Sequence, residues 1–427
     1  EPAPAPEPAP NHGVAIIVNG VSEGDVATGA TLTEGDHTTT VVTIDKQKLS
    51  EKLEREGEGA VVAIPVQTGA DRVVGELTGD MVKDMQMKQA TLEVKTEAAA
   101  YTLPVRRLLI ESISSQLGEN VDLAKVAVRV QIKKPANDTV KVVENAAKKG
   151  TFVIVAPPVE FSVTVAYDGK SVEVSKFDAY VERTVAIPDG IDPNRITTGV
   201  VVDADGTVRH VPTRVVVIDG RYFARINSLT NSTYSVVWHP LEFGDVANHW
   251  AKLYVNEMGS RMVVAGVGDN RFDPDRDVTR AEFATIIVRA LGIKPAAARA
   301  AFQDVRASDW FAGYVAAATE YGILLGYEDG TFRAGKSITR EEAMTMIARA
   351  MKVAGMQTSI APSDAQATLA QFADAASFAS WSSANAAVAV QHGVIVGSGG
   401  LARPTDNISR AETATIIMRM LQKAGLI

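Results

Sequence analysis

The sequence predicts a multi-domain chain, with an N-terminal β-rich α+β region followed by an all-α bundle of three repeats. Three observations carry this. The chain has 427 residues, and a domain takes about 150, so about three units are expected. Short Val/Ile/Thr runs and Asp-Gly pairs fill residues 14–237, the texture of strands and tight hairpins. Beyond about Pro240 alanine rises, the strand signals stop, and apolar residues recur with the period of a helix.

Taken in order, residues 1–10 read EPAPAPEPAP. Proline at alternate positions fixes φ and removes amide donors, so this stretch is expected to be an extended Pro/Ala linker. There is no initiating Met or signal peptide, and the chain is expected to be a mature product or a fragment. Strands are expected over Val14–Val18, Thr39–Ile44, Ala60–Val66, Val126–Ile132, Phe152–Val155 and Phe161–Ala166. Two-residue hairpin turns are expected at Asp168-Gly169, Asp205-Gly206 and Asp219-Gly220, because Asp-Gly tolerates positive φ. Helices are expected over Lys46–Arg55, Asp80–Lys88, Arg107–Leu117 and Asp138–Lys149, with Gly150 stopping the last. A β-rich α+β domain over 11–110 and a second β-rich domain over 111–240 accommodate them.

The C-terminal region repeats itself. Three segments, 243–292, 302–355 and 372–427, each open Phe-x-Asp, with Asp245, Asp304 and Asp374. Each continues with a tryptophan, Trp250, Trp310 or Trp381, and a loop glycine, Gly266, Gly326 or Gly397. Each then reads Thr/Ser-Arg-x-Glu, beginning at Thr279, Thr339 and Ser409, with the box arginines Arg280, Arg340 and Arg410. A second arginine follows nine residues later, at Arg289, Arg349 and Arg419. Thr/Ser at N-cap with Glu at N3 is a capping box. The residues after it form a stripe, Phe283, Ile286, Ile287, Ala290 and Leu291 in the first copy, that marks one buried helix face. Each repeat is therefore helix–loop–helix. A unit this small cannot bury its stripe alone, and three can share one core.

The charge is −8 with pI near 5.4, which argues against a general nucleic-acid binder. No apolar run reaches the ~18 residues of a membrane span. Cysteine is absent, which removes disulfides, zinc–thiolate sites, iron–sulfur clusters and thiol nucleophiles, and fits an exported protein. No cofactor motif or catalytic constellation emerges, so no enzyme and no cofactor are expected. Asp273, Asp275 and Asp277 alternate before the first box helix, as weak candidates for calcium. The other two copies lack the pattern.

These repeats resemble the S-layer homology (SLH) module. The Thr-Arg-Ala-Glu box, the Phe-x-Asp-Val opening, the tryptophan and the glycine loop carry the resemblance, which covers residues 243–427. It implies a pseudo-threefold helical bundle that anchors secreted surface-layer proteins and exocellular enzymes to the Gram-positive cell wall. The implied partner is a pyruvylated secondary cell-wall polysaccharide held in grooves between repeats, with self-association in a surface layer as a further expectation. The implied ligand-binding residues are Arg280, Arg340, Arg410, Trp250, Trp310, Trp381, Gly266, Gly326, Gly397, Asp245, Asp304 and Asp374.

Elementary chemistry agrees in part. Each box arginine falls at N1 of a helix, where free amides and the dipole favour anions, and its fork suits a carboxylate. The tryptophans fit either a core anchor or a sugar-stacking face. The aspartates fit caps and turns as well as ligand contacts. The second arginines lie about 180° around the helix from the box arginines and are expected to form structural salt bridges. Glu341 puts an acid beside Arg340, and the third copy shortens its loop; both changes are expected to weaken a groove. Residues 243–427 hold 18 basic and 18 acidic side chains, so an anionic polymer must be captured by discrete pockets rather than by net field. Residues 11–240 are expected to be a spacer. A displayed carbohydrate-active enzyme and a lattice-forming domain are the alternatives.

Overall fold

In a computed structural model, residues 12–297 and 302–427 are described. The linker expected at 1–10 lies outside the described residues. Two compact units emerge. The first runs to Val208 and resumes over Val215–Val237, and the second comprises Arg209–Arg214 and Trp238–Ile427.

The first unit is built on strands β1 (His12–Val18), β2 (Val21–Glu34), β3 (His37–Ile44), β4 (Val61–Pro65), β5 (Arg72–Thr78), β6 (Thr91–Lys95), β7 (Ala99–Pro104) and β8 (Ala127–Lys133). They continue as β9 (Val153–Tyr167), β10 (Lys170–Glu173), β11 (Lys176–Ala186), β12 (Thr198–Val202), β13 (Val208–Val211), β14 (Thr213–Ile218), β15 (Arg221–Thr230) and β16 (Thr233–Trp238), of which residues Arg209–Arg214 and Trp238 are counted with the second unit. The strand path through this unit is β12-β16-β9-β8-β5-β3-β2-β1-β4-β6-β7-β11-β15-β14, with β10 paired to β9. Most pairs are antiparallel; β3–β5 and β4–β6 are parallel. Helices α1 (Lys46–Glu56) and α2 (Gly79–Met87) supply those two crossovers, and α3 (Ile110–Leu117) and α4 (Asn137–Gly150) follow.

The sheet folds over on itself. Tyr101 on β7 stands edge-on to Phe161 on β9, and Phe161 to Tyr234 on β16, with ring centroids 5.5 and 5.7 Å apart. Between these rings lies Arg183, fully buried. Its guanidinium donates to the carbonyls of Val181 and Thr230 at 2.7 and 2.8 Å and to Asn231 Oδ1 at 2.8 Å. A buried cation is tolerated where carbonyl oxygens and aromatic faces replace water. Burial, chiefly, pushes the Tyr101 hydroxyl up to about 12, so it stays a neutral donor to Asn231.

Several expectations change in detail. The runs at 152–155 and 161–166 are one strand, β9, carried through Pro157-Pro158. Asp168-Gly169 and Asp219-Gly220 both have positive φ and close two-residue hairpins. At Asp205-Gly206 only the glycine has positive φ, and Gly206 N donates to Asp203 O, so the turn is wider. Thr151, not Gly150, takes the left-handed position after α4.

The second unit contains α5 (Lys252–Ser260), α6 (Arg280–Ala290), α7 (Ala312–Glu320), α8 (Arg340–Val353), α9 (Pro362–Leu369), α10 (Ser380–Gln391) and α11 (Arg410–Lys423). The box helices α6, α8 and α11 begin at Thr279, Thr339 and Ser409, each with a complete capping box. They are buried almost all round: in α6 Ala281, Ala284, Thr285 and Val288 join the expected stripe. One exposed face would need solvent beside the helix, but each box helix has the next repeat's first helix against it. α7 packs on α6, α10 on α8, and α5 on α11. Backbone hydrogen bonds follow the same order. Ile338 N donates to Val278 O, Ile408 N to Ile338 O, and Val278 N to Ile408 O, at 3.0–3.1 Å.

Residues Arg209–Arg214 belong to this unit. Arg209 Nη1 donates to Gly292 O at 2.6 Å, and Arg261 Nη1 to Thr213 O at 3.0 Å. His210 is buried between them. Burial, reinforced by the Arg261 and Arg209 guanidiniums, pushes its imidazole down to about 3, against an opposing hydrogen bond with the Ala290 backbone. The unfolded imidazole titrates near 6.5. The neutral native form is therefore fully stabilising above that pH, and the contribution fades as pH falls from 6.5 toward about 3. The whole effect is on the order of 5 kcal/mol. Thermal melts of His210→Leu are expected to decline less steeply than wild type between pH 6.5 and 4. Parallel acid limbs would refute the assignment.

Candidate ligand-binding grooves

Each repeat builds its loop the same way. The opening aspartate receives two backbone amides across the loop. Asp245 accepts from Phe272 N and Asp273 N at 2.8 and 2.7 Å, Asp304 from Phe332 N and Arg333 N, and Asp374 from Ala402 N and Arg403 N. Burial alone would push these carboxyls up; the backbone amides outweigh it and hold them below the usual range. The second amide of each pair belongs to a residue with positive φ, Asp273, Arg333 or Arg403. The aspartates thus fix the loop and do not line the grooves described below.

The loop glycines answer a close approach. A Cβ at Gly266 would lie 2.7 Å from Arg271 O and 2.8 Å from the Phe243 ring. At Gly326 it would meet Thr331 O at 2.7 Å and the Phe302 ring, and at Gly397 Leu401 O and the Phe372 ring. Each opening phenylalanine lies where a side chain would be.

The box arginines are 91–94% buried. Each reaches the following repeat: Arg280 Nε donates to Phe332 O at 2.9 Å, Arg340 Nε to Ala402 O at 2.9 Å, and Arg410 Nε to Phe272 O at 2.8 Å. Each also faces the box glutamate of that repeat, Arg280–Glu342 at 3.3 Å, Arg340–Glu412 at 2.5 Å and Arg410–Glu282 at 3.9 Å. The 3.9 Å contact is the loosest, and Glu282 instead pairs with Arg276 at 2.6 Å. Burial pushes the Arg410 guanidinium down, and the nearby Arg276 adds to this. At 7% exposure it remains a cation held by carbonyls at Phe272 and Ala265.

Two open grooves contain box arginines. One, of about 530 Å³, brings together Arg280, the loop Gly326-Tyr327, Arg333, Arg349 and Trp381. The other, of about 590 Å³, brings together Arg340, Gly397, Arg403, Arg419 and Trp250. Each thus combines a box arginine from one repeat, a loop and second arginine from the next, and a tryptophan from the third. A third cavity, of about 450 Å³, is lined by Gly266, Arg271, Arg289 and apolar side chains including Leu241, Phe243 and Met262, without Arg410 or Trp310. Trp250, Trp310 and Trp381 are 55–62% exposed, so none is a core anchor.

The second arginines differ from expectation. None of Arg289, Arg349 and Arg419 forms an ion pair among the described residues. Arg289 lies over the Tyr314 ring at 5.3 Å and Arg419 over the Tyr254 ring at 5.7 Å. Arg349 has Asn385 at the matching position of α10 instead of a tyrosine, and burial pushes its guanidinium down. The 180° argument holds within one helix. A groove lies between helices of successive repeats, so the box arginine of one and the second arginine of the next share it. Sequence reasoning missed Arg349, Arg419 and Tyr327 for this reason; the recurrence of the second arginine in all three copies was the available signal.

Glu341 turns away from the groove that contains Arg340 and is not among its lining residues. Its carboxylate is buried and turned to α10, accepting from Ala379 N at 3.0 Å and Ser382 Oγ at 2.6 Å. The N-cap of α10 is Ala379, which has no capping side chain, so Glu341 caps the helix from outside. Glu341→Ala is expected to lower the stability of this unit by about 1–2 kcal/mol, read by chemical denaturation; no change would refute the cap. The alternating acids diverge: Asp273 faces Arg276, Asp275 faces His249, and Asp277 accepts from Asn407 Nδ2. Among the described residues no three acidic, His or Cys side chains converge on a metal position.

The profile of the S-layer homology domain matches residues 242–284, 301–344 and 371–414. An amylopullulanase of Thermoanaerobacterium thermosulfurigenes is 33% identical over 249 residues, 58% of this chain and 13% of the relative. That match is longer than residues 242–427, so it extends into the N-terminal unit. Exoglucanase XynX of Acetivibrio thermocellus is 37% identical over 199 residues, 46% of this chain and 18% of the relative. A surface layer protein of Brevibacillus choshinensis is 46% identical over 93 residues, 21% of this chain and 8% of the relative. The chain thus spans less than a fifth of the length of these relatives.

Proposed function

We propose how this chain, a secreted cell-wall-associated surface protein with three tandem S-layer homology domains, holds the wall: it binds a pyruvylated secondary cell-wall polysaccharide in two inter-repeat grooves. The observation that carries the reading is that each groove is lined by two of these arginines, Arg280 and Arg349 in one and Arg340 and Arg419 in the other, together with an exposed tryptophan. A pyruvyl ketal presents one carboxylate on a sugar ring. A forked guanidinium in a partly dry groove binds that carboxylate more tightly than it would in bulk water, and Trp381 or Trp250 covers the ring.

The three domains close as a pseudo-threefold bundle in this reading. The cyclic order of the Arg–carbonyl contacts, Arg–Glu pairs and backbone hydrogen bonds supports it. Closure explains why a groove needs all three repeats. Two occupied grooves on one polymer raise the apparent affinity by about 10²–10⁴ over one. Arg410 contributes chiefly to closure, and the cavity beside the first repeat's loop does not contain it.

Residues 11–240 act as a spacer between the wall and whatever the chain displays, and copies associate laterally in a surface layer. The enzyme names among the relatives favour a second reading, in which this region is itself a carbohydrate-active domain. Hydrolysis of starch, xylan or cellulose by the purified chain would establish that reading. The test of the first is co-sedimentation with purified walls before and after chemical removal of pyruvyl groups. Binding is expected to disappear with the pyruvate; undiminished binding would overturn the proposed ligand.

A further inference from the structure

We propose that β14 is a self-pairing edge, through which two copies of this chain join by antiparallel strand addition. This deepens the self-association part of the functional reading and does not depend on the wall-binding grooves.

β14 ends the strand path. The Asp219-Gly220 turn, with φ of 50° and 77°, makes Ile218 and Arg221 a hydrogen-bonded pair. Ile187 N donates to Tyr222 O at 2.9 Å, so Tyr222 turns its backbone to β11, and Arg221 and Phe223 turn theirs to β14. By the alternation of an antiparallel ladder, Ile218 and Val216 bond inward, and Val215 and Val217 present their amides and carbonyls outward. Those outward groups have no partner among the described residues. Edge strands are normally protected by shortness, charge, proline or a bulge. β10, which pairs with β9 off this path, has four residues, two of them charged, Lys170 and Glu173. Between Arg214 and Asp219, β14 is Val-Val-Val-Ile. Val217 is 60% exposed and Tyr222, opposite it on β15, is 41% exposed.

The sequence of the edge identifies the occupant as a second copy. Antiparallel pairing centred on Val216 lets Val215 and Val217 of one copy exchange four hydrogen bonds with Val217 and Val215 of the other. Val216 then faces Val216, and Arg214 faces Ile218, so no like charges meet. The exposed Val217 side chain is covered at the same time.

Sedimentation velocity on the full chain, over about a hundredfold range of concentration, is expected to show a monomer–dimer equilibrium. Val217→Pro removes only an outward amide, which an edge strand tolerates, and is expected to leave a monomer with wild-type circular dichroism. If Val217→Pro fails to fold, Val217→Lys provides the same test. The register is read by disulfide formation in a chain otherwise free of cysteine. Val216→Cys is expected to cross-link under mild oxidation and Arg214→Cys is not, because only residue 216 faces itself. A monomer at every concentration would overturn the proposal, as would a folded Val217 variant that dimerises like wild type or equal cross-linking at 214 and 216. A monomeric chain that still binds walls would refute this inference and leave the wall-binding reading intact.

Discussion

Replacing Arg349 and Arg419 together by Gln is expected to abolish wall binding while leaving the melting temperature within about a degree of wild type. Both guanidiniums line the open grooves, and neither forms an ion pair among the described residues. Losing a guanidinium partner of a bound carboxylate costs about 2 kcal/mol or more, roughly 30-fold in affinity per groove. With both grooves weakened, the bivalent gain is lost as well. The single variants separate the grooves. Arg349→Gln removes the contact in the groove that holds Trp381, and Arg419→Gln the one that holds Trp250. Arg419 also covers the Tyr254 ring, so a small loss of stability, a few tenths of a kcal/mol, is expected from it alone. Wild-type binding by the double variant would remove the second arginines from the site.

The box arginines are expected to behave differently from one another. Arg410→Met should destabilise the C-terminal unit by about 3 kcal/mol, because it leaves the carbonyls of Phe272 and Ala265 without their donor in a buried setting. It should nevertheless retain ligand binding below its melting temperature, since neither open groove contains Arg410. Arg280→Met should lose both. It strips a donor from Phe332 O, removes the partner of Glu342 and takes a guanidinium out of a groove. Denaturant unfolding and binding measured on the same samples distinguish the two. Equal loss of binding in both variants would show that closure, and not contact, is what the box arginines supply.

Much of this arrangement is legible in the sequence. The capping boxes at Thr279, Thr339 and Ser409 announce their helices because a short polar side chain three residues before a glutamate has one favoured local structure. The hairpins at Asp168-Gly169 and Asp219-Gly220 are equally local. Features that depend on a neighbour are harder to read. The N-cap of α10 comes from Glu341, 38 residues earlier, and nothing around Ala379 announces it. The tryptophans suit a core by composition, yet all three are exposed, Trp250 and Trp381 at groove walls, while the phenylalanines at 243, 302 and 372 fill the space beside the loop glycines. The joining of the strand runs through Pro157-Pro158 overrides a local signal that reads as a break. The buried Arg183 could not be found from spacing, since its partners are carbonyls and rings from β7, β9, β11 and the β15–β16 turn.

The most direct measurement is a calorimetric titration of a pyruvylated N-acetylmannosamine glycoside into the purified chain. Two sites per chain are expected, one with Arg349→Gln and none with the Arg349→Gln/Arg419→Gln pair. Heat of the same size from the sugar lacking its pyruvyl group, or an unchanged stoichiometry in the double variant, would contradict the account.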